Sequence, residues 1–362
     1  MNDVPTVSVS PYLVGEQLAE DVLTGQGNVL MYKGKILNER DIEVLQAFLV
    51  SNIPVQNRKG YQEEMKKGEE RETGPRFFKK NELTSFEQEY KKAVKSLKKL
   101  FASSLGGKPI PVHDFRPYVQ TLIDQIGHYN ILTFIPPDWT IEDYLFHNSI
   151  LTGLTSYQLA KWYGISSKEL MQVALAGVFH DIGNCKVDQG ILQKPGPLEP
   201  EEIKEVRKHT VAGYEMLRYV SSLNEGAKLA ALQHHEREDG HGYPLGLKGK
   251  QIHIYAKIVA IADMYHAMTS QRYHKAACSK YMALESLHNE SLGKLHPALV
   301  QTFIRKITQF HTGTKVRLND GRLGEIVFTD QIHPTRPWVN IRGTIINLSI
   351  ERRIHIEEVL QT

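Results

Sequence analysis

The chain has 362 residues, of which 41% are hydrophobic and 23% charged, and its formal net charge is +3. This length predicts two or three domains with sizeable cores, and the small net charge gives no reason to expect DNA, RNA or membrane partners. Two cysteines, Cys185 and Cys278, lie far apart, which excludes a disulfide framework and a thiolate zinc site and fits a reducing, cytoplasmic location. We expect no signal peptide and no membrane-spanning segment, because the chain begins without a basic and apolar leader and has no apolar run of sufficient length.

Residues 1–56 predict a small α/β unit. Two short apolar stretches flank the turn residues 25–28, and this pattern predicts a hairpin. Asn38 is then expected to cap a helix. The apolar face of that helix consists of Ile42, Leu45 and Phe48.

Residues 57–82 are polar and charged and predict a flexible linker. Residues 83–139 predict a helical connector with helices at about 84–101 and 113–127. The first of these carries a lysine-rich face, for which a solvated surface and a docking surface for an acidic partner both remain open. Its apolar face consists of Phe86, Tyr90, Val94, Leu97 and Phe101.

Residues 140–310 predict a nearly all-helical domain. Ser166 and Glu169 form a Ser-x-x-Glu pattern, which predicts a capping box at the start of a helix. We expect this helix to end at the adjacent pair His180 and Asp181, before a glycine.

Three further helices are predicted in this domain. Pro200 is expected to begin a single helix that reaches Leu217 and carries His209. A second helix at about 225–236 should end at a His-His-Glu sequence. The third, at 255–269, is apolar nearly all round and therefore predicts a fully buried helix. An isolated Asp263 within it would be costly unless it were paired or bound a ligand.

Residues 311–362 change to a β pattern. The turn Asn319-Asp320-Gly321 between apolar stretches predicts a β-hairpin, and further short strands follow. We interpret this region as a small β appendage, with an SH3-like fold as one interpretation. We find no chemical motif in it.

Imidazole and carboxylate groups recur through the helical domain in a pattern typical of a metal centre. These groups are the usual ligands of iron, manganese and zinc ions, and the carboxylate of a His-Asp pair has two oxygens with which to bridge two ions. The alternative is a group of solvated or core histidines. A second His-Asp pair, His113 and Asp114, is interpreted as having no function. The candidate ligands are His180, Asp181, His209, His234, His235 and Asp263.

The same region closely resembles the HD-GYP family, a branch of the HD phosphohydrolases. The matching text covers about 170 residues. It consists of His180-Asp181-Ile182-Gly183, Ile191 to Gly196, Lys208-His209-Thr210, His234-His235-Glu236, Asp239 to Pro244, Gly246 to Gly249, Ile261-Ala262-Asp263 and Ala267 to Arg272.

The resemblance implies an all-helical domain that hydrolyses cyclic di-GMP to the linear dinucleotide or to GMP through a metal-activated hydroxide. It implies two or three divalent ions, most often iron or manganese, with zinc and others open. The six residues above are the implied ligands, with His180 and Asp181 as catalytic residues. The implied substrate contacts are Lys194, Gly242, Tyr243, Pro244 and Arg272.

Three positions depart from the family pattern. Asn148 stands where the family has its first metal histidine, and His147 is one residue early; a shift of one residue turns a helical side chain by about 100°. Asn184 replaces a lysine, and His266 replaces an aspartate. Tyr144 stands in place of the glutamate associated with a third ion, so we expect two ions rather than three.

These departures leave a second class of function open. We favour a cyclic di-GMP phosphodiesterase, with activity weakened or lost as an option. The alternative is a degenerate domain that serves as a cyclic di-GMP receptor or a protein-interaction module. A phosphohydrolase for another nucleotide is a third reading, against which the Gly-Tyr-Pro loop argues. Partners such as a diguanylate cyclase or a regulatory protein, and a homodimer, also remain open.

Overall fold

The structure is a computed structural model. It describes residues 6–9, 13, 15–23, 29–38, 41–42, 45, 50, 52–55, 84–104, 110–273, 275–308, 313–330 and 332–360. The chain divides into two compact units, 1–81 and 82–362. The predicted linker at 57–82 lies outside the described residues, although the division between the two units falls within its predicted range. The finer domain boundaries stay a prediction.

The N-terminal unit contains two small antiparallel sheets. Strand β1 (Thr6–Ser8) pairs with β4 (Asn52–Pro54), and β2 (Val22–Leu23) pairs with β3 (Val29–Met31). The predicted hairpin strands are therefore confirmed, although turn residues 25–28 lie outside the described residues. The core of this unit consists of Leu13, Leu18, Val22, Met31, Leu37, Ile42, Leu45, Ile53 and Val55.

Asn38 caps the helical segment that follows. Its Oδ1 accepts a hydrogen bond from the backbone N–H of Asp41 at 3.0 Å, and the Asp41 carboxylate accepts from the Asn38 N–H at 3.1 Å. The predicted cap is therefore confirmed. Ile42 and Leu45 are buried, while the predicted Phe48 lies outside the described residues.

The second unit is built mainly from helices around one apolar core. The two helices of the predicted connector are confirmed to within a few residues, as is the buried helix that carries Asp263. None of the helices in the described part of the chain combines the length and apolar character that a bilayer crossing would need. The helices are α1 (Ser85–Ser104), α2 (Val112–Asp124), α3 (Tyr144–Tyr163), α4 (Ser167–Phe179), α5 (Gln189–Leu192), α6 (Pro200–Arg207), α7 (His209–Leu217), α8 (Glu225–Gln233), α9 (Ile254–Thr269), α10 (Lys280–Glu290) and α11 (Pro297–Thr308).

The prediction of one helix from Pro200 to Leu217 is wrong at Lys208, where α6 ends and α7 begins. His209 Nδ1 bonds the Val206 carbonyl at 2.6 Å, and Thr210 Oγ1 bonds the Arg207 carbonyl at 3.0 Å. Side chains thus satisfy the last carbonyls of α6 in place of the next turn of helix. The break sets His209 at the start of a new helix.

The predicted capping box at Ser166 is also wrong. Ser166 is the N-cap residue of α4, but its side chain makes no capping hydrogen bond. The Glu169 carboxylate instead accepts a hydrogen bond from the Tyr255 hydroxyl at 2.9 Å. A tertiary contact to α9 has therefore replaced the local one.

Helices α3 and α4 pack with their backbones in contact. A Cβ added to Gly177 would lie 2.7 Å from the Gly153 Cα and 2.8 Å from the Thr152 carbonyl. Only glycine fits at such a crossing. The close packing brings Asn148 on α3 and His180 at the end of α4 to the same side of the core.

A five-stranded antiparallel sheet follows the helices, and its strands are β5 (Lys315–Leu318), β6 (Leu323–Phe328), β7 (Trp338–Ile341), β8 (Thr344–Asn347) and β9 (Ile356–Val359). The strand order is β8-β7-β6-β5-β9. The predicted hairpin at 319–321 is confirmed as the connection between β5 and β6. The sheet packs on α10, since Ser279 Oγ donates to the Ile356 carbonyl at 2.8 Å and Arg336 pairs with Glu285.

Candidate metal centre

The His-Asp pair lies where α4 ends and a 3₁₀ turn (Ile182–Lys186) begins. The fully buried His180 ring donates from Nδ1 to the Gly177 carbonyl at 2.7 Å. This bond directs Nε2 towards two carboxylates, at 3.5 Å from Asp181 Oδ2 and 3.3 Å from Asp263 Oδ1. A backbone bond on one ring nitrogen and a free partner position on the other is the usual arrangement of a metal-binding histidine.

His209 and His234 are oriented in the same way. Their Nδ1 atoms face the carbonyls of Val206 at 2.6 Å and Ala230 at 3.0 Å. Their Nε2 atoms lie 3.3 Å from each other and 3.3 and 3.7 Å from Asp181 Oδ1. Both rings thus present one nitrogen to the same carboxylate oxygen.

The six predicted ligands come together in two overlapping groups. Among the described residues, the ligand atoms within each group all lie within 4.8 Å of one another. Asp181 belongs to both groups, so its two oxygens can serve two neighbouring cations. The first group is Asp181, His209, His234 and His235, and the second is His180, Asp181 and Asp263.

Most of these groups have charge states that suit cation binding; the exception is His180, whose ring is protonated near pH 7 until a bound cation displaces the proton. Burial opposes a charge on His180, but the carboxylates of Asp181 and Asp263 outweigh it and raise the pKa of His180 to about 9. Burial likewise opposes a charge on Asp181, yet His180 and the other imidazoles hold the pKa of Asp181 below its usual value. Burial lowers the pKa of His209, and burial with the neighbouring His234 and His209 lowers that of His235. The carboxylates therefore remain ionised, and His209 and His235 neutral, near pH 7.

Gly183 allows the two halves of the site to meet. A Cβ on Gly183 would overlap the His209 carbonyl and lie 2.6 Å from the Gly213 nitrogen. The turn after Asp181 therefore rests directly on the start of α7. This contact places Asp181 next to His209.

Glu236 is a residue whose role the sequence analysis missed. Its buried carboxylate accepts hydrogen bonds from the backbone N–H groups of Leu245 at 2.6 Å and Leu247 at 2.8 Å. These two bonds hold the Gly-Tyr-Pro loop next to His234 and His235. The sequence does contain a signal for this role. Glu236 directly follows two candidate ligands and precedes a glycine-rich loop, whose backbone N–H groups need acceptors.

The Gly-Tyr-Pro loop packs against two of the candidate metal ligands, His209 and His235. The Tyr243 ring stacks on His235 with centroids 4.6 Å apart, and the Arg207 guanidinium lies 4.8 Å from the Tyr243 ring centroid. A Cβ on Gly242 would overlap the Glu236 Cα and the His235 carbonyl. The peptide bond between Tyr243 and Pro244 is cis.

A cavity of about 380 Å³ opens onto this centre. Arg272 is the one lysine or arginine among the described lining residues; its guanidinium lies 5.8 Å from the Tyr144 ring centroid and its Nε is buried without a partner. Lys194 lies outside the lining, where its Nζ pairs with both Glu202 oxygens at 2.9 and 2.7 Å. The lining includes Tyr144, Asp181, Asn184, His209, His235, Tyr243, Asp263 and Arg272.

The first departure from the family pattern faces the centre. Asn148 Nδ2 donates to Asp263 Oδ1 at 2.9 Å, and Asn148 Oδ1 is buried with no partner. His147 points elsewhere: its Nδ1 lies 3.0 Å from the Tyr90 hydroxyl, and its ring packs on Trp139 at 4.9 Å. Burial lowers the pKa of His147 to about 4. His147 therefore does not replace the missing ligand.

The other two departures have different surroundings. His266 Nε2 lies 2.7 Å from the Thr155 hydroxyl, and burial lowers the pKa of His266 to about 3. It belongs to neither group of ligand atoms. Asn184 lines the cavity as a neutral side chain.

The donor set fits a divalent ion of the first transition row. It consists of imidazole nitrogens and carboxylate oxygens without thiolate, since the Cys185 Sγ lies 3.6 Å from the Phe101 carbonyl instead. His180 Nε2 and Asn148 Oδ1 are buried without hydrogen-bond partners. Cations beside Asp263 would satisfy both atoms.

A family model of the HD domain matches residues 143–299, which span the cluster and its cavity. Residues 143–299 are therefore an HD domain. The type of domain predicted from the motifs is confirmed. The HD domain contains all six candidate ligands.

Curated relatives are similar over the same region. A cyclic di-GMP phosphodiesterase of Pseudomonas aeruginosa is 32% identical over 215 residues, which cover 58% of this chain and 52% of that protein. A cyclic di-GMP phosphodiesterase of Thermotoga maritima is 39% identical over 156 residues, 42% of each chain. A 3'3'-cGAMP-specific phosphodiesterase of Vibrio cholerae is 34% identical over 154 residues, 42% of this chain and 30% of that protein. The chain thus spans about half or less of the length of these relatives.

Proposed function

We propose that the HD domain is a metal-dependent phosphodiesterase whose substrate is a cyclic dinucleotide, with cyclic di-GMP as the first candidate. The observation that carries the proposal is the position of Asp181. Its carboxylate belongs to two groups of ligand atoms, the arrangement expected for two cations held side by side.

In this proposal, Asp181, His209, His234 and His235 would hold one cation, and His180, Asp181 and Asp263 would hold the other. Two such ions neutralise a phosphodiester and lower the pKa of bound water. His180 and Asp181 are the proposed catalytic residues, because His180 lies beside both carboxylates and Asp181 lies beside three imidazoles. No side-chain nucleophile is required.

The cavity supplies the substrate contacts. Arg272 provides the positive charge for a phosphate, and its buried Nε has an unused donor. Tyr243 presents an aromatic wall fixed by His235, next to Gly242 and Pro244. Lys194 would first have to leave Glu202, so we assign the phosphate to Arg272 in preference.

Cyclic di-GMP and 3'3'-cGAMP are both supported as substrates by the names of the relatives. The two differ in one base. The described lining residues give no reason to favour guanine or adenine, so both dinucleotides should be tested in the same assay.

A receptor without turnover is the second candidate, because a specific observation favours it. Asn148, at the position where the family pattern has a ligand histidine, donates a hydrogen bond to Asp263 Oδ1. Asn184 adds no positive charge to the cavity. Both changes weaken catalysis while leaving the cavity for a nucleotide.

The test combines elemental analysis of the anaerobically purified protein with a turnover assay on both dinucleotides. We expect two metal equivalents and hydrolysis, with chromatography distinguishing linear dinucleotide from GMP. Tight nucleotide binding with no hydrolysis would instead establish the receptor. A protein that neither binds metal nor nucleotide would refute both candidates.

A further inference from the structure

A second cavity, of about 280 Å³, lies beside helix α9, where His266 and Thr269 line it. We call it the Lys280 cavity. It shares no described lining residue with the metal-centre cavity. Its walls include Tyr129, Phe134, Trp139, Leu151, His266 and Lys280.

The walls of the Lys280 cavity are largely apolar and include three aromatic rings, those of Tyr129, Phe134 and Trp139. Tyr129 and Phe134 meet edge to face with centroids 5.4 Å apart, and Trp139 is held by its contact with His147. Fixed rings of this kind provide flat apolar surfaces for a planar ligand. The volume is close to the lower end of the range for small-molecule sites, about 300 Å³.

Lys280 provides a positive charge that forms no direct ion pair with the described carboxylates. Its Nζ donates to the Phe134 carbonyl at 3.2 Å, and no carboxylate in the described residues lies within ion-pair distance of it. Burial lowers the pKa of Lys280 to about 8, and the attraction of the Glu358 carboxylate only partly opposes this shift. Ser270, also in the lining, is a further hydroxyl donor.

We propose that the Lys280 cavity binds a small aromatic carboxylate, with the ring between the aromatic walls and the carboxylate on Lys280. An anion would remove the cost of the unpaired ammonium. A neutral ring would leave that cost in place, and a cationic ring would add repulsion. The inference does not depend on the hydrolase activity of the metal centre.

The experiment follows tryptophan fluorescence of the purified full chain during titration with three probes of equal size: benzoate, benzamide and benzylamine. Trp139 is one of three tryptophans, and a Trp139→Phe variant identifies its contribution. We expect benzoate alone to give a saturable change, with a Kd on the order of millimolar. Equal binding of benzamide would overturn the proposal.

Variants decide whether Lys280 is responsible. Lys280→Met should weaken benzoate binding roughly tenfold or more, Lys280→Arg should retain it, and Lys168→Met on the exposed face of α4 should not change it. Asp181→Asn, which disables the metal centre, should bind benzoate as the parent does; loss of binding there would locate the carboxylate at the metal centre and overturn the proposal. If Lys280→Met fails to fold by circular dichroism, the probe series and Lys280→Arg still decide the question.

Discussion

The chain contains the dipeptide His-Asp twice, and the two copies have different surroundings. His113 and Asp114 lie in the first turn of α2, and both side chains are exposed. His180 is fully buried at the end of α4, and Asp181 contacts imidazoles from two other elements. The dipeptide is therefore not a site by itself. Its chemistry depends on what other parts of the chain bring to it.

Backbone geometry explains the difference. Neighbouring residues within a helix point about 100° apart, so His113 and Asp114 cannot share a ligand. Asp181 has left the helix, with φ −102° and ψ 13°, and its carboxylate turns towards α7 and α8. His180 and Asp181 can therefore contribute to the same site.

The largest expected effect comes from removing the shared carboxylate. Asp181→Asn should lose both metal positions and reduce cyclic dinucleotide hydrolysis on the order of a thousandfold or more, since metal ions contribute several kcal/mol to such reactions. Metal analysis and steady-state turnover measure this. Asp114→Asn is the matched control and should change neither. Full activity in Asp181→Asn would rule out the two-ion site.

The same test applied to histidine gives a second contrast. His180→Ala removes a ligand from only one of the two groups, so we expect the metal content to fall towards one equivalent and turnover to be abolished. His113→Ala should retain both ions and full turnover. Two ions bound to His180→Ala would contradict the assignment of this histidine.

A smaller effect is expected at Glu236, which touches no ligand atom. Glu236→Gln replaces an acceptor oxygen with an amide that repels one of the two loop N–H groups. We expect turnover to fall roughly 10- to 100-fold, as for supporting residues around metal ligands, with metal content retained and KM raised. Glu201→Gln, an exposed surface change, serves as the control. Loss of metal together with activity would mean that Glu236 maintains the ligands rather than the loop.

Asn148→His tests the first departure from the family pattern. If the missing imidazole limits the enzyme, metal affinity and turnover should rise several-fold, because a ring nitrogen would replace an amide beside Asp263. Metal titration and turnover measure the gain. An unchanged variant would show that Asn148 already suffices or that the limitation lies elsewhere.

The smallest effect concerns pH and His147. The folded-state pKa of about 4 lies below the ordinary 6.5, so the unfolded chain takes up the proton first as the pH falls. Stability should therefore decrease between pH 6.5 and 4, by at most about 1.4 kcal/mol per pH unit. His147→Phe lacks this proton, so its Tm deficit relative to the parent should narrow between pH 7 and pH 4.5. Parallel Tm curves would contradict the assigned pKa.

The sequence predicted the fold well wherever local pattern and tertiary packing agree. The all-round apolar stretch from Ile254 to Thr269 forms a buried helix, and the turn at Asn319 connects two paired strands. The six candidate ligands could be predicted to lie together because they are imidazoles and carboxylates at the ends of helices or within a buried one, and the structure brings them together; their role as ligands stays a prediction.

The remainder depended on contacts that no local pattern contains. The break at Lys208 arises because His209 and Thr210 turn back to cap α6. Glu169 bonds Tyr255 from a distant helix instead of its own N-cap residue. Lys194 is drawn to Glu202, and its role as a substrate contact stays a prediction. In each case the side chain has more than one possible partner, and the tertiary structure determines which partner it contacts.

The contact at Gly242 has an evolutionary consequence. Because the loop backbone rests directly on Glu236 and His235, a mutation that shifts the loop also shifts the histidines beneath it. Substitutions in this part of the cavity wall are therefore constrained. Divergence among descendants of this domain should accumulate instead at other lining positions, such as Tyr144.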